Sequence, residues 1–194
     1  MSVPLFALGP HALSFGRWDF HDEGYLWVND SFDGYGPSGT PFLCSIIGNV
    51  QEEGLKCDGY GDYHAKAMKT LDTAGFSLVI ARPTEAGRGK QFDDALSAVN
   101  AIHESVTRPE KTKGPVRLMD NQTFLHFYRS VLDDNWFFSP LDVYDAQGRR
   151  IAAGNVRDAM VKKDVQVVFT MLNRVEYSKR SITAMIDHVQ LLDP

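Results

Sequence analysis

The chain has 194 residues, enough to bury a core without disulfide or metal staples. It is 43% hydrophobic and 23% charged, as in an ordinary globular domain, and no apolar run approaches the roughly 18 residues of a membrane span. The net charge of −5 is uneven, with 7 Lys/Arg against 14 Asp/Glu in residues 1–107 and 13 against 9 in residues 108–180; phosphate binding needs a local field rather than a basic whole, so this acidity weakens a nucleic-acid reading without ending it.

Residues 1–20 are punctuated by Pro4, Gly9 and Pro10 and carry scattered aromatics, the pattern of an extended arm with an edge strand. They lack a basic leader, so no signal peptide is read and the protein is expected to be intracellular. Residues 25–29 form a strand candidate, residues 30–39 a Gly- and Pro-rich loop, and residues 40–48 a second strand, together a first hairpin. Cys44 and Cys57 are too few for a disulfide framework. They read as buried thiols in a reducing compartment, or as a single bridge closing a short loop.

Residues 64–74 are rich in helix formers and stop at Gly75, and residues 76–81 are a compact strand. From Gln91 to Val106 the stripe Phe92, Ala95, Leu96, Val99 and Ile102 predicts the clearest helix. Residues 120–132 fit helical spacing and strand composition about equally. Residues 140–151 read as a strand, a turn at 145–148 and the start of another strand. In residues 164–175, Val165, Val167, Phe169 and Met171 alternate, and after a polar link Ile182, Ala184 and Ile186 do so again. Two such runs predict an antiparallel hairpin. Consecutive strands of this kind build a small barrel or sandwich.

Enzymatic chemistry finds no anchor. The triplet His21, Asp22 and Glu23 points to opposite faces if it lies in a strand. The loop 58–64 lacks the closing bidentate Glu of a calcium site. The run 87–90 is cut off from the strand before it by Pro83 and Thr84, and Gln91 follows Lys90 where a phosphate-cradling loop requires a Ser/Thr. No cofactor is expected.

Single-strand nucleic-acid binders need aromatic faces for base stacking beside cations that track the backbone. The second half interleaves the two types: Tyr128 and Arg129, residues 136–138, Tyr144, Arg149 and Arg150, Arg157, Lys162 and Lys163, Arg174, Tyr177, Lys179 and Arg180. Three consecutive large aromatics cannot all face one core. Either the remainder of residues 136–138 is covered by the N-terminal arm, or it is offered to bases.

Residues 141–192 resemble the C-terminal part of OB-fold single-stranded-DNA-binding proteins of the bacteriophage replication type. There, a strand like residues 141–151 gives way to a Gly-containing link, here residues 153–155. A basic-led strand like residues 162–171 follows, and a strand like residues 181–192 closes the run. The resemblance implies a strand over residues 123–131 and a mainly β fold. That fold is one OB-like domain over residues 1–194: a five-stranded barrel with a helical insertion near 62–106 and an N-terminal arm over 1–20. The family's acidic C-terminal tail has no counterpart before Pro194, so recruitment of partners by such a tail is not carried over.

The expected function is non-catalytic binding of single-stranded nucleic acid, DNA in the first place, in replication, recombination or repair. Tyr128, Trp136 and Phe137 would be the stacking platforms. Arg149, Arg150, Lys162, Lys163, Arg174, Lys179 and Arg180 would be the phosphate contacts, with Lys162–Lys163 and Lys179–Arg180 near opposite ends of the two hairpin strands, a flanking arrangement rather than a single patch. The hairpin's edge leaves a homo-oligomer open, and no membrane partner is expected. The rival readings are a structural or protein-interaction β-domain, and a metal enzyme built on the 58–64 loop.

Overall fold

The structure, a computed structural model, describes residues 6–7, 16–21, 24–29, 41–57, 61–63, 74–106, 125–130, 139–176 and 179–193. Nine strands occur there: β1 (Phe6–Ala7), β2 (Gly16–His21), β3 (Gly24–Asn29), β4 (Cys44–Val50), β5 (Gly75–Ala81), β6 (Leu125–Ser130), β7 (Asp142–Tyr144), β8 (Asp164–Glu176) and β9 (Lys179–Leu191). Helix α1 (Ala86–Val106) lies between β5 and β6, and the short α2 (Val156–Met160) between β7 and β8. No helix among the described residues is long and apolar enough to cross a membrane.

Side-chain alternation sets which face of each strand is buried. Val165, Val167, Phe169 and Met171 of β8 are all at most 1% exposed, as are Phe76, Leu78 and Ile80 of β5. With Cys44, Ile46 and Val50 of β4 they form one core, which also takes Phe92, Ala95, Ala98 and Ile102 from α1 and Val156 and Met160 from α2. Among the described residues the helices therefore share one core with the barrel strands.

Five strands pair in a ring. β4 pairs antiparallel with β5, and β5 with β6. β6 then runs parallel to β9, β9 antiparallel to β8, and β8 antiparallel to β4. Numbered within the ring in chain order, the neighbours run 1-2-3-5-4 and back to 1, with the 3–5 pair parallel. This is the connectivity of an OB barrel. The β4–β5 seam is limited to Asn49↔Ala81 and Val50↔Ile80, and the β6–β9 seam to Phe127↔Ala184 and Tyr128↔Met185, so the barrel is partly open. In the β8–β9 hairpin, Val168 opposes His188 and Phe169 opposes Ile186, leaving Asp187 as an extra residue. Such a bulge bends its strand, and Arg129 of β6 donates to the Asp187 carbonyl at 2.8 Å.

The remaining strands extend the sheet. β3 pairs with the far half of β8, β2 with β3, β1 with β4 and β7 with β9.

Several expectations change. The partner of residues 24–29 is β2 and not the 40s segment, which contributes one bridge, Val28↔Pro41, and a bond from Phe42 N–H to Trp27 C=O. A two-residue connection brings β2 and β3 together at less entropic cost than the longer 30–39 loop. The span expected as a helical insertion, 62–106, contains β5, a barrel strand, and α1 is the helix among its described residues; the helix expected over 64–74 lies outside the described residues apart from Ala74. α1 starts at Ala86, ahead of the expected Gln91. The Glu85 carboxylate accepts the backbone N–H groups of Gly87 and Arg88, both at 2.8 Å, and caps the first turn. Those bonds, led by that from Arg88, hold Glu85 below the usual carboxylate range.

Past the expected turn, the chain does not continue as a strand from Ile151. Tyr144↔Arg150 is a lone bridge, and a 3-10 turn at Ala153–Asn155 leads into α2. The spacing Val156–Met160 (i, i+4) carries a helical signal too short to outweigh the flanking strands. Residues 125–130 are a strand and residues 164–191 a hairpin, as expected. Cys44 and Cys57 are buried thiols outside any disulfide, so no bridge closes their loop, and burial pushes the Cys44 thiol far up.

Candidate nucleic-acid interface

The connection after β4 is built against the edge of β5. Gln51 N–H donates to Val79 C=O at 2.9 Å, and Lys56 and Ser77 exchange both backbone bonds at 2.9 Å. Gly54, at φ +82°, turns the segment, and its carbonyl accepts the Ser77 hydroxyl at 2.9 Å. At that φ a side chain is strained, and a Cβ would sit 2.7 Å from Val79. Leu55 and Cys57, 3% and 2% exposed, fix the segment's inner side. Its main chain is clamped from α2, where the Arg157 guanidinium donates to Leu55 C=O at 3.0 Å.

Lys162 and Lys163 stand beside this segment. Val50 N–H donates to Lys163 C=O at 2.9 Å and Lys162 N–H to Val50 C=O at 3.1 Å. Asn49 Nδ2 donates to Asp164 Oδ1 at 2.8 Å and to Lys162 C=O at 3.4 Å. Lys162 has φ +58°, the left-handed region, unlike any other non-glycine among the described residues. Its side chain is 77% exposed, with Nζ 3.8 Å from Glu52. Lys163 is exposed and has no carboxylate within ion-pair distance among the described residues.

Arg149 and Arg150 follow β7. The turn is fixed by Asp145, whose carboxylate accepts the N–H groups of Arg149 and Gln147 at 2.9 and 3.0 Å and Arg149 Nε at 2.7 Å, with Gly148 at φ +76°. The backbone N–H of Arg149, more than its guanidinium, holds Asp145 below the usual carboxylate range. Arg150 pairs with Asp142 at 2.6 Å and lines a cleft of about 330 Å³ with Pro140, Leu141, Ile151, Ala152 and Ala153. β7 ends with Tyr144 opposite Gln190, next to the end of β9 where β8 begins, so this turn and the Lys162–Lys163 turn sit at the same end of the hairpin.

Arg174, Lys179 and Arg180 lie at the other end, where Arg174 opposes Ser181 and Arg180 opposes Val175. Over a 13-residue strand at about 3.3 Å per residue, the two groups are separated by ~40 Å. The sequence-predicted contacts thus fall into two clusters. Tyr128 occupies the register position between Ser77 of β5 and Met185 of β9, in the strand pair that lies between the loops carrying those clusters. Trp136 and Phe137 lie outside the described residues. Arg129, interleaved with the aromatics in sequence, donates to Asp187 C=O and to Ser139 Oγ, bonds that brace the bulge and its neighbourhood.

All three candidate cations with an ion pair in the described part hold local acids: Arg149 with Asp145, Arg150 with Asp142 and Lys162 with Glu52. These exposed pairs are individually weak, and a phosphate can replace the carboxylate. Asn49 and Arg157 position the loop and the turn. Neither was singled out for that role, since only the folded contacts bring Arg157 to Leu55.

No family model and no curated protein matches this chain. Similar solved structures are single-stranded-DNA-binding proteins of bacteriophages. Gp2.5, encoded by bacteriophage T7, is 12% identical with TM-score 0.48, covering 79% of this chain and 87% of that one. The protein of bacteriophage Enc34 in complex with ssDNA is 13% identical with TM-score 0.46, covering 93% and 96%. Its C-terminal truncation is 11% identical with TM-score 0.45, covering 94% and 97%.

Proposed function

We propose that this protein binds single-stranded nucleic acid, DNA in the first place, inside the cell and without catalysis, in replication, recombination or repair. OB barrels bind oligonucleotides across their second and third strands, flanked by the loops that follow the first and the fourth. The observation that carries the reading is the position of the cations on that frame. Lys162 and Lys163 adjoin the loop after β4, the first ring strand, and Arg174, Lys179 and Arg180 adjoin the loop after β8, the fourth. Between them run β5 and β6, with Tyr128 in β6. Stacking on Tyr128, Trp136 and Phe137 would supply the sequence-tolerant part of the affinity, and the cations the salt-dependent part.

Fluorescence anisotropy with single- and double-stranded DNA and RNA oligonucleotides, each at two salt concentrations, tests the proposal. Single strands bind best and weaken with salt. Alanine at Trp136, Phe137 or Tyr128 costs about 1–3 kcal/mol per ring. Flat titrations at low salt with every oligonucleotide would overturn the reading.

A further inference from the structure

β2 ends the sheet, and no strand among the described residues pairs with its outer side. Its hydrogen-bond phase follows from the register. Opposed residues in an antiparallel pair alternate between exchanging both backbone bonds and exchanging none. Trp27 C=O accepts Phe42 N–H at 3.0 Å and so faces away from β2, which makes Trp18 with Trp27 a pair that exchanges none and Asp19 with Leu26 and Arg17 with Val28 pairs that exchange both. The N–H and C=O groups of Gly16, Trp18 and Phe20 therefore point away from β3, along the outer edge.

From this edge we infer that two copies of the chain pair through β2, antiparallel about a twofold axis at Trp18. The sequence selects that register. Antiparallel pairing through the outward groups can oppose Trp18 to Trp18, Gly16 to Trp18, or Trp18 to Phe20 of the second copy. The second choice sets Arg17 against Arg17, and the third sets Asp19 against Asp19. The first sets Arg17 against Asp19 twice, while Gly16 opposes Phe20 on both sides of the axis. Arg17 and Asp19 lie on one face, 3.5 Å apart and 47% and 52% exposed, within reach of a facing strand. Opposite charges directly across an antiparallel pair stabilise it and like charges disfavour it. A twofold contact of this kind closes on itself, giving a dimer and not a filament.

Sedimentation velocity on the full chain over a concentration series tests this without nucleic acid. The wild type reaches twice the 21.7 kDa chain mass. Arg17→Asp and Asp19→Arg each sediment as monomers, because each sets like charges across the axis. Mixing the two variants restores a 1:1 dimer, and the double variant Arg17→Asp/Asp19→Arg dimerises alone. If one single variant fails to fold, the double variant gives the answer. A wild type that remains monomeric, or single reversals that leave the dimer intact, would overturn the inference. So would a double variant that folds and stays monomeric.

Discussion

At the scale of single residues, the two turns that carry described cations are maintained by different means. The Lys162 backbone sits in a region that costs an L-residue roughly 1–2 kcal/mol, and glycine enters it freely. Lys162→Gly is expected to raise stability by up to about 1 kcal/mol, a Tm shift of about 2–4 °C at this chain length, while weakening oligonucleotide binding. Thermal melts and anisotropy on the same sample check both directions. The other turn depends on the Asp145 carboxylate. Because its folded pKa is lowered, chiefly by the Arg149 N–H, its contribution is complete above the ordinary carboxylate range and fades as pH falls through the lowered value. Asp145→Asn should therefore show a smaller loss of Tm than wild type between pH 7 and about pH 3. Cys44 and Cys57 are expected to resist thiol reagents until the protein is denatured, since burial shields both and disfavours the Cys44 thiolate.

At the scale of elements, β4 is the strand on which the barrel turns. It pairs with β8 along most of its length and meets β5 at Asn49 and Val50. Just before that point, a Cβ on Gly48 would stand 2.5–2.9 Å from the Ile80 side chain, its Cβ included. Gly48→Ala is expected to cost about 1–3 kcal/mol through overpacking. Phe92, fully buried from α1 into the barrel core, predicts a larger effect: Phe92→Ala should cost about 3–5 kcal/mol. Its denaturation should stay a single transition, because the buried residues of α1 belong to the same core as the barrel strands. The alternation of β8 and the stripe of α1 were legible because burial imposes a period on each element. Residues 125–130 were ambiguous because their aromatics satisfy both periods, and only pairing with β5 and β9 makes them a strand. The hairpin partner of β3 was misread because a long Gly-rich loop and a two-residue turn both signal reversal.

For the whole molecule, charge composition gave the basic half, and the two alternating runs gave its division, with Lys162–Lys163 and Lys179–Arg180 near opposite ends of the hairpin. The length of β8 sets the distance between the two groups. Salt dependence measures whether both engage. Each phosphate contact to a single strand contributes a slope of about −0.7 to log K against log salt. Arg149, Arg150, Lys162 and Lys163 alone would give about −3, and all seven cations about −5. Oligonucleotides too short to reach from one group to the other should show the smaller value. The OB connectivity itself was not legible from periodicity. It rests on long-range seams, which no local pattern encodes, and in the sequence only the family resemblance pointed to it.

Those seams have a kinetic corollary. Asn49 and Asp164 meet across 115 positions of chain, and β6 finds its second neighbour in β9, which ends at Leu191. During synthesis the earlier strands of the ring wait, edges bare, until β9 has left the ribosome. Folding should accordingly be slow for a protein of this size, as contact order dictates, and no nascent chain short of β9 can present the finished surface to a ligand.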